Sequence, residues 1–258
     1  MEEDNNWIFP ANELKSISDE EKIERIIGIQ FINYLATDLQ IPNQFAIAIA
    51  TTIFHRYYLM QDSKSQSEGS VWDIAASCLL LSAKITELCI PLNNVASSCR
   101  NATQKIDPKR NGTTIKQYWK DSLVYFEAEV ISTVYYDLEI ETPHKCLTEY
   151  FTQFDMVTED KKLIWALAND SLYTDLCLRY LPKTIAAGLI YTVMKEQQKP
   201  LPKILPKALV DEGGSRKHQS KVDFIEFVKE SDTTLSDIRN VMCEFYVFYK
   251  QNISKIQL

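Results

Sequence analysis

Three histidines, His55, His144 and His218, are the residues best suited to proton transfer near neutral pH, because an unperturbed imidazole titrates there and also binds metals. They stand far apart, and none has the H-E-x-x-H spacing that puts two ring nitrogens on one helix face for zinc. The six cysteines, Cys78, Cys89, Cys99, Cys146, Cys177 and Cys243, form no C-x-x-C pair, so neither a zinc site nor a disulfide framework is indicated. Their mostly apolar helical surroundings predict buried thiols in a reducing compartment. The segments G-x-S-x-G, G-x-G-x-x-G and G-x-x-x-x-G-K-[ST] are missing, and Gly213-Gly214 reads as a turn in a charged loop. No catalytic residue, metal ligand or cofactor is expected. The chain's chemistry is then that of binding.

Composition narrows what is bound. The 258 residues carry a formal charge of −7, which argues against a protein that coats nucleic acid, since phosphate binding needs clustered Lys and Arg. The nearest basic clusters are Lys105, Lys109, Arg110 and Lys116 around one loop, and Lys203, Lys207, Arg216, Lys217 and Lys221 around another; charge runs of this kind usually make a solvated surface. Apolar residues at 45% and charged residues at 24% are those of an ordinary globular protein, and six glycines and nine prolines leave little room for low-complexity sequence. No segment has the layout of a signal peptide or the length of a membrane span, so an intracellular protein is expected. Asn101-Ala-Thr103 and Asn111-Gly-Thr113 match the glycosylation pattern, but they have no secretory context.

The elements that must position any binding residue are all helical. Apolar residues recur at helical spacing, and no segment sustains the two-residue alternation of a half-buried strand. Ser18, followed by acidic residues, predicts a first helix to about Asp38 with Ile23, Ile26, Ile27, Phe31 and Leu35 on its apolar face. Pro42 opens a second helix to Met60. After a polar, Ser-rich linker from Gln61 to Gly69, a third spans Ser70 to Glu87 and is apolar on most of its circumference, which places it centrally. Helices over 92–105 and 115–136 follow. After Pro143 the pattern restarts with helices near 144–154, 159–179, 182–197, 222–230 and 235–251. Ile74-Ala75-Ala76 precedes Lys84 as Ile185-Ala186-Ala187 precedes Lys195, and Pro91-Leu92 and Pro200-Leu201 follow in turn. Five helices on each side of Pro143 and this echo predict duplication of a five-helix unit. The expected division is an N-terminal segment, 1–18, and two units, 19–140 and 141–258.

Several linked motifs resemble one family. His55-Arg56-Tyr57-Tyr58, Ser70-Val71, Ile74-Ala75-Ala76 and Ser82-Ala83-Lys84-Ile85-Thr86-Glu87 are similar to the cyclin box, and specifically to transcriptional cyclins of the T and K type. Tyr118-Trp119, Glu127, Tyr136-Asp137-Leu138 and Thr142-Pro143-His144 continue the match. In the second half Asn169-Asp170-Ser171 and Tyr180-Leu181-Pro182-Lys183-Thr184-Ile185-Ala186-Ala187 do so, and Trp7-Ile8 resembles the family's leading segment.

The resemblance implies two tandem five-helix boxes and a noncatalytic regulatory subunit that binds a cyclin-dependent kinase through its first box. By the same resemblance Lys84 donates to main-chain carbonyls beside the kinase αC helix, and Glu127 accepts from main-chain amides there. Glu87 is the acidic residue retained after the lysine, with Thr86 in place of the other. Tyr136 and Leu138 add apolar contact, unless they are ordinary core. An ammonium has three donors and a carboxylate only acceptors, so the two together can hold a backbone by both its groups. On chemistry alone, Lys84 and Glu127 could instead simply pair with each other. The family's substrate-docking M-R-x-x-L is here Glu24-Arg25-Ile26-Ile27-Gly28, so that docking is not expected, and Arg25 should brace the box internally. Arg56-Tyr57-Tyr58-Leu59 meets a minimal R-x-x-L degradation pattern but falls in a helix expected to be packed.

A transcriptional cyclin implies a nuclear protein whose kinase phosphorylates the RNA polymerase II C-terminal domain and elongation factors, with further elongation factors as possible partners and neither membrane nor nucleic acid bound directly. Three other readings are weighed: a duplicated cyclin fold of the TFIIB type that binds DNA and protein, a purely structural helical adaptor, and a cyclin for a different, cell-cycle kinase. The first lacks its zinc ribbon and strongly basic second repeat. The second predicts binding without kinase activation.

Overall fold

A computed structural model describes residues 7–9, 18–61, 69–106, 113–204, 224–229 and 233–252. Of the residues singled out above, Lys109, Arg110, Asn111, Lys207, Gly213, Gly214, Arg216, Lys217, His218 and Lys221 lie outside them.

The architecture is all-α. Among the described residues the helices are α1 (Asp19–Asp38), α2 (Gln44–Met60), α3 (Val71–Ile85), α4 (Leu92–Ile106) and α5 (Thr113–Thr133), then α6 (Pro143–Gln153), α7 (Thr158–Ser171), α8 (Pro182–Glu196), α9 (Phe224–Lys229) and α10 (Leu235–Asn252). A 3₁₀ turn covers Asp175–Leu178, and a two-residue antiparallel pair joins Phe154–Asp155 to Lys203–Ile204. The chain divides into two compact units, Met1–Thr142 with Cys177–Arg179, and Pro143–Leu176 with Tyr180–Leu258.

Each unit is built around one central helix. In the first, α3 packs on α1, α2 and α5; in the second, α8 packs on α6, α7 and α10. Both central helices carry Ala-Ala steps that are fully buried, at Ala75-Ala76 and Ala186-Ala187, and small side chains let neighbouring helices approach closely. Gly188 extends this seam in α8: a Cβ there would lie 2.6 Å from Val241 Cγ1 of α10.

Phe31 and Leu35 face inward from α1 as expected, but the rest of that face differs from expectation. Ile23 and Ile27 are 47% and 37% exposed, while Arg25, Ile29, Ile32, Leu35 and Ala36 turn inward. The cause is Gly28, where a Cβ would meet Phe54 Cζ of α2 at 2.2 Å. The bare glycine lets the Phe54 ring occupy that place, which sets the packing seam along the line of Gly28, Ile32 and Leu35 and rotates Ile23 and Ile27 outward. Arg25 is buried as expected, paired with Glu21 at 2.7 Å and 5.8 Å from the Tyr58 ring centroid.

Helix ends also correct the sequence reading. α3 stops at Ile85 and α5 at Thr133, short of Glu87 and Tyr136, and α7 stops at Ser171 instead of running to Arg179. After α3, the Leu88 N–H donates to the Ala83 carbonyl at 2.8 Å and the Glu87 N–H to that of Lys84 at 3.1 Å. Glu87 is left-handed, with φ 58°. This is the Schellman arrangement, which satisfies the last carbonyls of a helix. It recurs after α8, where Lys199 N–H reaches Met194 O at 2.9 Å, Gln198 N–H reaches Lys195 O at 3.1 Å, and Gln198 has φ 54°. The sequence echo therefore extends to the cap, with Lys84 and Lys195 at the same position in it. Glycine, the usual residue there, is replaced by Glu87 and Gln198, so neither end was marked in the sequence.

All six cysteines are free. Cys78, Cys99 and Cys146 are buried as expected, whereas Cys89 and Cys243 are exposed. Burial raises the Cys78 and Cys99 thiols well above their ordinary pKa. No helix among the described residues is long and apolar enough to cross a membrane.

Candidate functional site

The first unit brings Lys84 and Glu127 together across the α3–α5 packing. Lys84 Nζ lies 2.5 Å from Glu127 Oε1, with the lysine side chain 57% exposed and the glutamate 15%. The ion pair weighed as the alternative is thus present. It does not exhaust either partner, since an ammonium has three donors and each carboxylate oxygen accepts more than once. Glu87 is exposed at the left-handed end of α3, three residues beyond Lys84.

The α3–α5 contact that sets this pair is fixed at its other end by Asp73. Asp73 is buried and closes a capping box with Ser70 at the start of α3. Its carboxylate accepts from the Ser70 N–H at 3.0 Å, the Ser70 hydroxyl at 2.6 Å, Tyr118 Oη at 3.1 Å and Ser122 Oγ at 2.5 Å. Tyr118 and Ser122 stand one turn apart on α5, so a single side chain locks the start of α3 against α5. The sequence signal was the S-x-x-D spacing of Ser70 and Asp73. Nothing local indicated that α5 would supply the remaining donors.

Away from its buried stripe α5 shows apolar surface to solvent. Its core seam is Trp119, Leu123, Phe126 and Val130, all buried, while Val124 and Tyr125 are 58% and 56% exposed. These two were missed, although they were recognisable as large apolar residues off the buried stripe.

Tyr136 and Leu138 follow α5 in a strained turn. Tyr135 and Tyr136 are both left-handed, with φ 55° and 60°. Tyr136 N–H reaches Ile131 O at 2.9 Å, Tyr135 N–H reaches Ser132 O at 3.1 Å, and Asp137 N–H reaches Val134 O at 3.0 Å. The core reading of Tyr136 does not hold, since the residue is 73% exposed. Leu138 is half-buried.

Three motifs read separately in the sequence meet beside this turn. Trp7 is buried, and its Nε1–H donates to Asp137 Oδ2 at 2.7 Å. The Arg56 guanidinium lies 4.7 Å from the centroid of the Trp7 ring and 3.8 Å from Asp137 Oδ2. Arg56 of the His-Arg-Tyr-Tyr run, which sits in α2 as expected, is thus a structural cation; burial lowers its pKa from the ordinary value more than Asp137 raises it. Tyr57, fully buried in the same run, donates to Glu129 of α5 at 2.5 Å.

In the second unit, the residues that carried the resemblance are structural partners. Tyr180 donates to Glu244 of α10 at 2.8 Å, and Asn169 Oδ1 lies 2.9 Å from Nε2 of the buried His144. Among the described residues, no group of three or more His, Cys, Asp or Glu is placed to hold a metal ion.

Comparison with known proteins gives this arrangement a family. Cyclin pch1 of Schizosaccharomyces pombe is 29% identical over 197 residues, covering 74% of this chain and 56% of that protein. Cyclin-T1-2 of Arabidopsis thaliana is 33% identical over 168 residues, 62% of this chain and 35% of its own. The chain thus spans little more than half of the first of these relatives, and about a third of the second. In fold it is similar to a chain of the yeast RNA polymerase II CTD kinase CTDK-1 complex, with a TM-score of 0.71 at 15% identity over 94% of this chain and 73% of that one. The cyclin N-terminal domain matches residues 3–139, more than half of the 258, and the chain belongs to the cyclin family.

Proposed function

We propose that this cyclin is the noncatalytic, activating subunit of a transcriptional cyclin-dependent kinase, and that the kinase docks on the first unit at Lys84, Glu87, Glu127, Tyr136 and Leu138. The observation that carries the reading is the solvent-facing Lys84–Glu127 pair, with exposed Val124 and Tyr125 on α5, the helix that carries Glu127. The relatives' names support the transcriptional assignment, as does the fold likeness to the CTDK-1 complex.

A kinase requires its αC glutamate paired with the β3 lysine before phosphoryl transfer is efficient. A subunit that binds only that arrangement shifts the population toward it, and moving it from mostly inactive to mostly active needs about 5.5 kcal/mol of differential affinity. An exposed ion pair supplies about 1 kcal/mol or less. Apolar surface buried in the active arrangement and not in the inactive one must supply the rest. Tyr125, Val124 and Tyr136 are where this cyclin has that area to cover. The pair then orients the docked helix, and the apolar surface supplies most of the affinity.

The reading extends to substrates, the polymerase C-terminal domain repeats and elongation factors, and to a nuclear location reached with the kinase. Mixing the cyclin with a purified transcriptional kinase subunit and assaying a polymerase-tail repeat peptide tests it. Activation with binding is the expected result. Binding without activation would leave a helical adaptor, and binding to promoter DNA with no kinase association would favour the TFIIB-like reading.

A further inference from the structure

The geometry points to Trp7 as a positioning residue for kinase docking, acting through Asp137 on the Tyr135–Tyr136 turn; this rests on the docking site proposed above. Two consecutive non-glycine residues in the left-handed region, at φ 55° and 60°, persist only where their surroundings hold them. The hydrogen bonds that end α5 hold the backbone up to Asp137. What holds the next step is Asp137 itself, which carries Tyr136 on one side and Leu138 on the other.

Asp137 is gripped at its side chain and its carbonyl. Its Oδ2 accepts from Trp7 Nε1 at 2.7 Å, and the Arg56 Nη1 lies 3.8 Å from that oxygen and 3.5 Å from the Asp137 carbonyl oxygen. Trp7 is itself held from both sides. Arg56 lies over its ring, and two residues on, the Phe9 N–H donates to Leu178 O at 2.8 Å. The buried indole is thus a fixed donor aimed at the turn, while Tyr135 and Tyr136 are 70% and 73% exposed. An exposed tyrosine docks well when its backbone is already in the bound conformation, because less freedom is lost on binding. Trp7 supplies that restraint from more than a hundred residues away in sequence, without touching the kinase.

Substitutions at Trp7, Tyr136 and Arg56 test this with the full chain and a purified transcriptional kinase subunit. Trp7→Phe keeps an aromatic ring under Arg56 and removes the N–H donor, and it should raise the Kd about three- to tenfold. A purely structural role would lower the melting temperature without coupling to Tyr136, so the deciding measurement is the double-mutant cycle. In a Tyr136→Ala background, Trp7→Phe should have little further effect on Kd. Additive losses, or an unchanged Kd for Trp7→Phe beside a weakened Tyr136→Ala, would overturn the positioning role and leave the docking site standing. An unchanged Kd for Tyr136→Ala would remove the docking role of this turn and the inference with it. Should Trp7→Phe fold poorly, Arg56→Met supplies the second arm, since it also removes the cation that holds the indole and Asp137 together.

Discussion

At the scale of single residues, Lys84 and Glu127 separate binding from stability. The pair is exposed on the lysine side, so Lys84→Ala with Glu127→Ala should cost about 1 kcal/mol or less in urea unfolding. Kinase association should weaken by an order of magnitude or more, because both groups would leave docked backbone partners unpaired. An unchanged Kd in a pull-down titration would return the pair to a purely intramolecular role. His144 behaves in the opposite way. It is fully buried, and burial lowers its pKa below the usual 6.5, only partly offset by the Asn169 bond. The unfolded chain therefore takes up a proton below about pH 6.5 that the folded chain resists. Stability should fall as pH drops below that value, by at most about 1.4 kcal/mol per pH unit, until the folded value is passed. His144→Gln should flatten this part of the stability–pH curve, measured by denaturant titration between pH 5 and 7 on the scale where imidazole titrates.

At the scale of elements, the packing of α1 depends on Gly28. A methyl group would meet the Phe54 ring at 2.2 Å, so Gly28→Ala should destabilise by about 1–3 kcal/mol, the usual cost of overpacking. Circular dichroism melting would register this as a clear fall in Tm; no change would mean that Phe54 moves aside freely. The C-terminal caps argue the reverse case. Gln198 holds a left-handed conformation that a side chain resists, so Gln198→Gly should stabilise by several tenths to about 1 kcal/mol. That change falls in a cap motif shared by α3 and α8, where the echo of Lys84 and Lys195 was legible from sequence. The motif itself was not, because no glycine marked it, and both α3 and α5 were read two or three residues too long.

At the scale of the molecule, the two units each have their own central helix and core. Gly188 lies in the seam between α8 and α10, where a Cβ would come within 2.6 Å of Val241. Gly188→Ala should therefore lower the stability of the second unit, while the proposed kinase site lies wholly in the first. The expected outcome is an earlier unfolding transition with kinase affinity kept within about twofold at low temperature. Loss of affinity in step with the second unit's stability would mean that docking draws on both units.

What the sequence determined was whatever repeats at short range. The helical period gave ten helices, and the ordered motifs gave the cyclin family. What the tertiary structure decided was whatever depends on a partner far along the chain. The rotation of α1 followed from one glycine against Phe54 on the next helix, and the four-donor cage of Asp73 drew on α5, some 45 residues on. Trp7, Arg56 and Asp137 each stood in a recognised motif, yet only folding made them one assembly, because hydrogen-bond geometry is set by where backbones cross and not by residue type. For Lys84 and Glu127, pairing with each other was one of two readings open in the sequence, and the packing of α3 on α5 decided that they meet, 2.5 Å apart.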